Sequence, residues 1–352
     1  MLLLTRNQAV DFIDAHAARL TAGAGPNPFA RPEWLRHFLL QVGRDDWTVC
    51  VAGSAENAPS FLYRETPHSR RLHSLNNYYS SLHSPLHLAD GDRAAAIERV
   101  AADLRAARPR ADTLTFAPLA ADADTGLLES ALGAAGWYVR RYFAFGNWYL
   151  PCDGLDFASY MQARDSKLYN TWTRKAKKFR SGTDGARLEL VTAPADVARA
   201  MDAYDRIYAQ SWKVPEPYPG FIRGWAAICA ERGWLRLGLA WLGEVPIAAQ
   251  FWFTIDRRAY IFKLAYDEAH QKLSGGTVLS ALLFEQALDV DRVTEIDYLT
   301  GDDGYKRSWV SERRERVGLI ACNLATPRGL LAAGREFAGQ LRQRLRPPVR
   351  LQ

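Results

Sequence analysis

Residues 234–277 read WLRLGLAWLGEVPIAAQFWFTIDRRAYIFKLAYDEAHQKLSGGT. Three apolar and aromatic runs stand in it, Trp234–Leu242, Val245–Ile255 and Ala259–Tyr266. Only Gly243-Glu244 and Asp256-Arg257-Arg258 separate them. Connections this short join antiparallel neighbours, so the stretch predicts a three-stranded meander. A loop, His270–Gly276, follows and opens a helix over Thr277–Leu288. Upstream lie a strand, Leu188–Thr192, and helices over Asp196–Trp212 and Phe221–Glu231. Downstream come a strand Glu295–Leu299, a Gly-Asp-Asp-Gly turn, a strand Arg316–Cys322 and a basic C-terminal helix. Mixed helix and strand order of this kind predicts an α+β (α/β) architecture.

The first half reads less regularly. Strands are expected at Trp47–Ala52, Ser60–Arg64 and Thr113–Phe116, with a long aromatic strand at Trp137–Leu150. Helices are expected at Asp92–Ala107 and Thr125–Ala135. Pro151, Asp153 and Gly154 break the pattern and mark a junction. After it, Phe157–Arg180 reads as one basic amphipathic helix, with Leu168, Trp172, Ala176 and Phe179 on a single stripe.

Composition narrows the class. At roughly 100–200 residues per domain, 352 residues favour two domains. Cys50, Cys152, Cys229 and Cys322 are too scattered for a disulfide framework. The N-terminus lacks the apolar run of a secretory signal, and no window reaches the ~18 apolar residues of a membrane span. A cytoplasmic protein is the expectation. His83 and His87 have helical spacing, but Pro85 between them breaks a helix, and no ligand cluster indicates a metal.

Residues 297–309 read DYLTGDDGYKRSW. This run resembles a signature of one GNAT acyltransferase branch, which includes CelD-type acetyltransferases of bacterial exopolysaccharide and cellulose production and FemAB-like peptidyltransferases. Ser211-Trp212-Lys213 and the basic run 170–178 are similar to that branch too. The resemblance implies tandem GNAT-like halves, each a mixed, mainly antiparallel sheet flanked by helices, with a degenerate N-terminal half. Expected boundaries are 1–154 for that half, 155–185 for the linking helix, 186–326 for the acyltransferase half and 327–352 for a basic tail.

The implied chemistry is acetyl or other acyl transfer from a CoA thioester to an amine or sugar-like acceptor. Leu273, Ser274, Gly275, Gly276 and Thr277 would hold the donor pyrophosphate, since small residues and a helix N-terminus let N–H groups reach an anion. Thr277 is the expected helix cap, and Lys306 reads as a phosphate contact or a solvated cation. Asp297 is a candidate base or a salt-bridge partner, and Asp302, like Asp303, a candidate base or a turn-former. Tyr305 reads as an acid near the donor sulfur or as packing, and Trp212 and Lys213 as acceptor lining or core. A FemAB-like aminoacyl transferase using aminoacyl-tRNA, or an inactive scaffold, are the other readings.

The net charge of +6 is not evenly spread. Residues 164–180 hold seven Lys/Arg against one Asp, and residues 335–350 hold five Arg against one Glu. Localised charge of this kind points to phosphates, an anionic acceptor or peripheral contact with an anionic membrane, and away from sequence-specific nucleic-acid binding.

Overall fold

A computed structural model describes residues 1–54 and 57–345. The chain forms two compact units, Met1–Phe145 together with the segment from Glu315, and Gly146–Arg314.

The first unit opens with strand β1 (Leu2–Leu4) and helices α1 (Arg6–Ala15), α2 (Ala17–Gly23) and α3 (Pro32–Gln41). These precede β2 (Thr48–Ser54), β3 (Ala58–Arg64) and β4 (Arg71–Ser74). Then come α4 (Arg93–Ala106), β5 (Thr113–Ala120), α5 (Ala123–Ala134) and the start of β6 (Trp137–Pro151). Strands pair antiparallel from β1 to β4, parallel between β4 and β5, and antiparallel again onto β12 (Glu312–Asn323), which arrives from the far end of the sequence. Helix α11 (Pro327–Leu345) follows β12. The three N-terminal helices and the short β1 and β4 fall outside the sequence expectation. Local capping explains α1: Thr5 Oγ1 accepts from Gln8 N, while Gln8 Oε1 accepts from Thr5 N.

Unit one buries His83 in its interior, with Nε2 lacking a hydrogen-bond partner among the described residues. Burial first, and His87 second, hold its imidazole down to about 3. The unfolded chain titrates near the ordinary 6.5, so between those values the unfolded state binds the extra proton. Stability therefore falls with falling pH through this window, by about 2–3 kcal/mol at pH 4.5. Calorimetry should show Tm declining below pH 6.5. An unchanged acid slope in a His83→Asn variant would refute the assignment.

The second unit contains α6 (Phe157–Gln162), α7 (Ser166–Ser181), β7 (Ala186–Val191), α8 (Val197–Ala209) and α9 (Pro219–Glu231). The expected meander follows as β8 (Leu235–Leu242), β9 (Val245–Ile255) and β10 (Arg258–Tyr266). Helix α10 (Gly275–Glu285) and β11 (Glu295–Asp297) complete it. Pairing is antiparallel from β7 to β10, parallel between β10 and β11, and antiparallel from β11 onto the end of β6. The order of pairings is that of the first unit, so one fold pattern occurs twice. In each unit the sixth strand comes from outside the run that supplies the other five.

Two sequence expectations need correction. The single helix over Phe157–Arg180 is two, because Asp165 Oδ1 accepts from Leu168 N at 2.8 Å and starts a new helix. Its stripe holds: Leu168, Ala176 and Phe179 are buried and Trp172 packs against them. The strand expected to reach Leu299 ends at Asp297. There Asp297 Oδ1 accepts from Leu299 N at 2.6 Å, and Leu299 turns into the left-handed region with φ 55°.

Candidate functional site

The early end of β11 opens the site. Strand β10 pairs with β11 only over Arg258–Tyr260, whereas β10 itself continues to Tyr266. A bulge at Phe262 shifts the β9 register at the same level. The two parallel strands therefore part beyond Tyr260, and β10 runs on to Tyr266, ahead of the turn that starts α10.

That turn is built to leave amides open. Ser274 adopts φ 53°, and its carbonyl takes the N–H of Thr277 at 3.0 Å and of Val278 at 3.2 Å. The N–H groups of Gly275 and Gly276 have no partner among the described residues. Thr277 therefore does not cap the helix; Ser274 holds the cap position, without a side-chain bond. A Cβ at Gly275 would come within 3.3 Å of Ile247, so glycine lets α10 lie close on β9. At Gly276 a Cβ would meet nothing within 4 Å, so this face of the helix start is open. Buried Gln250 on β9 fixes the turn, donating from Nε2 to Gly276 O at 2.9 Å and Ser280 Oγ at 2.7 Å. Lys175 Nζ donates to Lys272 O at 2.5 Å and ties α7 to the same loop. His270 is occupied structurally, its Nδ1 2.7 Å from Asp267 Oδ2. Leu273 packs against the apolar core.

Lys213 follows α8 beside Trp212 and Tyr208, within electrostatic reach of Lys263 and Asp303. It is half-buried, and its Nζ lies 5.8 Å from the Trp212 ring and 5.9 Å from the Tyr208 ring. No hydrogen bond or ion pair holds the ammonium among the described residues. Burial, then the Lys263 cation, lower its pKa to about 8, against the raising influence of Glu216 and Asp303. Lys263 follows the β10 bulge and Asp303 follows β11, so Lys213 senses both lips of the gap. Glu216 Oε1 accepts from Lys263 Nζ at 2.5 Å and from Tyr208 Oη at 3.0 Å. Half-exposed Trp212 packs on Tyr266, the last residue of β10, at 4.6 Å between ring centroids.

The signature turn 300–306 is rigid. Lys306 is buried and spends its protons on Thr300 O at 2.7 Å, Gly301 O at 3.0 Å and Asp303 at 3.3 Å. Burial lowers its pKa, and the charge of Asp303 opposes that. It staples its own loop and is not a solvated cation. Tyr305 is half-exposed, with its ring edge-on to Tyr298 at 6.2 Å. Burial of its hydroxyl, then Asp303, push it up to about 12, so it stays a phenol at neutral pH.

Two candidate carboxylates are held in ion pairs, Asp297 at the last β10–β11 pair and Asp302 in the turn beyond it. Asp302 accepts from Trp148 Nε1 at 2.7 Å and Arg313 at 2.6 Å, and the Arg313 bond lowers its pKa. Asp297 is 3% exposed; Oδ1 accepts from Asn147 Nδ2 at 2.6 Å as well as from Leu299 N, and Oδ2 accepts from Arg314 at 2.6 Å. Arg314 also reaches Glu295 at 2.9 Å. Asp297 is the anchor of a buried network. Tyr208, Glu216 and Lys263 escaped the sequence reading. The available signal was Lys263 itself, a lone cation inside the apolar run AYIFKLAY, and Glu216 between Pro215 and Pro217.

With this geometry in hand, the comparisons can be placed. Residues 166–307 match the family model of the acetyltransferase (GNAT) domain. The fold here is the GNAT acyltransferase fold. FemX is similar in structure, with TM-score 0.61 and 11% identity over 95% of this chain and all of that one. So is L-PGS from Bacillus licheniformis, with TM-score 0.56 and 11% identity over 93% of this chain and 96% of that one. Comparison with curated proteins gives no significant match. Among the described residues no helix is long and apolar enough to cross a membrane, and no group of His, Cys, Asp and Glu is placed to hold a metal ion.

Proposed function

We propose that the 146–314 unit transfers an acyl group from a CoA thioester directly to an amine or sugar-like hydroxyl, with Lys213 taking the acceptor's proton. The observation that carries this reading is an unpaired, half-buried lysine, brought to about 8 by burial and Lys263, in the unit whose α10 starts with two open amides. An amine of pKa ~10.4 is neutral only about once in 10^3.4 at pH 7, a deficit of roughly 4.6 kcal/mol. A base matched to the working pH offsets part of it. In the transfer the C–N or C–O bond forms and the C–S bond breaks. Lys213 accepts the acceptor's proton, and Tyr305 returns one to the departing thiolate. Gly275 and Gly276 amides would hold the donor pyrophosphate, helped by the partial positive charge of the helix start. An acceptor from exopolysaccharide or envelope metabolism suits the CelD-type resemblance.

Unit one supplies the contrast that supports this assignment. Its corresponding helix, α4, is capped by Asp92, whose carboxylate accepts from Ala95 N at 3.1 Å. Beyond its β4–β5 pairing, Ser74 and Asn76 donate to Thr115 O and Ala117 O and bridge the strands. An anion would meet a carboxylate there, in place of open amides.

Acetyl-CoA should raise the Tm. Gly276→Asp should cancel that shift and weaken donor binding at least tenfold. The apo protein should keep its Tm, because an acid near a helix start is favourable. Absence of a shift with any acyl-CoA would overturn the donor assignment.

One observation favours a second reading, aminoacyl transfer from aminoacyl-tRNA. Lys167, Arg174 and Lys177 line an open depression along α7 with Asn170, Thr171 and Thr173, and none of the three cations has an ion-pair partner among the described residues. A phosphodiester backbone on this row would bind with steep salt dependence. Salt-insensitive or absent tRNA binding would remove the reading.

A further inference from the structure

Helix α11 carries an apolar face that none of the described residues covers. Leu330, Leu331, Phe337 and Leu341 are 58%, 57%, 60% and 50% exposed. At about 100° per residue, Leu330, Phe337 and Leu341 fall on one line, with Leu331 beside it. The neighbouring flank of the helix holds it to its unit. Ala333 is buried there, Glu336 pairs with Arg140 at 2.6 Å, and Gln340 accepts from Tyr138 Oη at 3.0 Å. A helix anchored by its polar face with its large apolar side chains outward inverts the usual arrangement, and such patches mark binding surfaces.

Charge identifies the occupant. Arg328, Arg335 and Arg342 recur every seventh residue beside Leu331, about 140° round the helix from the Leu330/Phe337/Leu341 line, exposed and without an ion pair among the described residues. The single acid of the helix, Glu336, is taken by Arg140. Beyond the described residues the sequence adds Arg346 and Arg350 and no acid. We infer that α11 lies on the surface of an anionic bilayer, its Leu/Phe line entering the headgroup–acyl boundary and its arginines meeting lipid phosphates. A second copy of the chain fits less well. Self-complementary pairing across this face would bring rows of arginine together with no carboxylate left to meet them.

Cosedimentation of the full chain with vesicles tests this. Vesicles of equal parts phosphatidylglycerol and phosphatidylcholine should bind it, pure phosphatidylcholine at least tenfold less, with binding weakened by salt. A Leu330→Ser/Phe337→Ser/Leu341→Ser variant should lose binding at least tenfold. Arg335→Gln/Arg342→Gln, which leaves the apolar line intact, should also lose binding should the triple variant fail to fold. No binding to the anionic vesicles overturns the proposal. So does binding unchanged in both variants, or a dimer in sedimentation that the triple variant dissolves.

Discussion

Lys213→Met lowers acyl transfer on the order of 10²–10³-fold while leaving the Tm and the acetyl-CoA-induced Tm shift in place. The magnitude is that of a removed general base. The side chain of Met fills the slot between Trp212 and Tyr208, so packing survives and the proton acceptor is lost. Lys213→Arg should not rescue, because a guanidinium stays charged throughout. The pH profile gives the sharper reading. A lysine base works only when neutral, so wild-type kcat/KM should climb as pH rises through about 8, the value to which burial and Lys263 bring it. Removing the neighbours should move that limb in opposite directions. Lys263→Met relieves a repulsion and shifts it up; Glu216→Gln removes an attraction and shifts it down. Thiol release from acetyl-CoA, with a hydroxyl acceptor that does not titrate in this range, reads all of these. Full activity in Lys213→Met, or a limb indifferent to both neighbours, would sink the assignment.

Asp297→Ala costs about 3–5 kcal/mol, the scale for removing one member of a buried ion pair and leaving the other without its counter-charge. Leu299 N loses its side-chain acceptor and Asn147 one of two in the same step, and Glu295 is left as the carboxylate partner of Arg314. For a unit of this size we expect a Tm lower on the order of 10 °C. Asp297→Asn keeps an oxygen for Leu299 N and should lose less. The informative outcome is the reverse one. A folded Asp297→Asn protein with normal Tm and no transfer would make Asp297 the base and displace Lys213.

The two experiments bear on how far the residues alone could be read. The meander at residues 234–266 was legible because its two connectors are too short for anything but hairpins. The open helix start at Ser274-Gly275-Gly276 was legible because small residues there have few other uses. Asp297 was visible as a carboxylate beside the donor loop, but its surroundings were not. Asn147 is 150 positions away and Arg314 is 17, and neither spacing follows a helix or strand period. The burial of Lys306 was hidden for the same reason: whether a lysine meets solvent or its own loop depends on three-dimensional closure. Unit one's helices α1–α3 escaped because their apolar stripes are short, and the capping box at Thr5 and Gln8 was the local signal passed over.

The late arrival of β12 in the first unit has a consequence for how the chain is made. Residues 146–314 form a continuous run, so the second unit can close as soon as Arg314 has left the ribosome. The N-terminal unit, translated first, lacks its sixth strand until Cys322 pairs with Thr113. The part synthesised earliest is thus the last to be finished, and β5 presents an unpaired edge for most of elongation. Cutting the gene at residue 145 therefore yields no self-sufficient N-terminal fragment. A circular permutant that places 315–345 ahead of residue 1 restores synthesis of that unit in one pass.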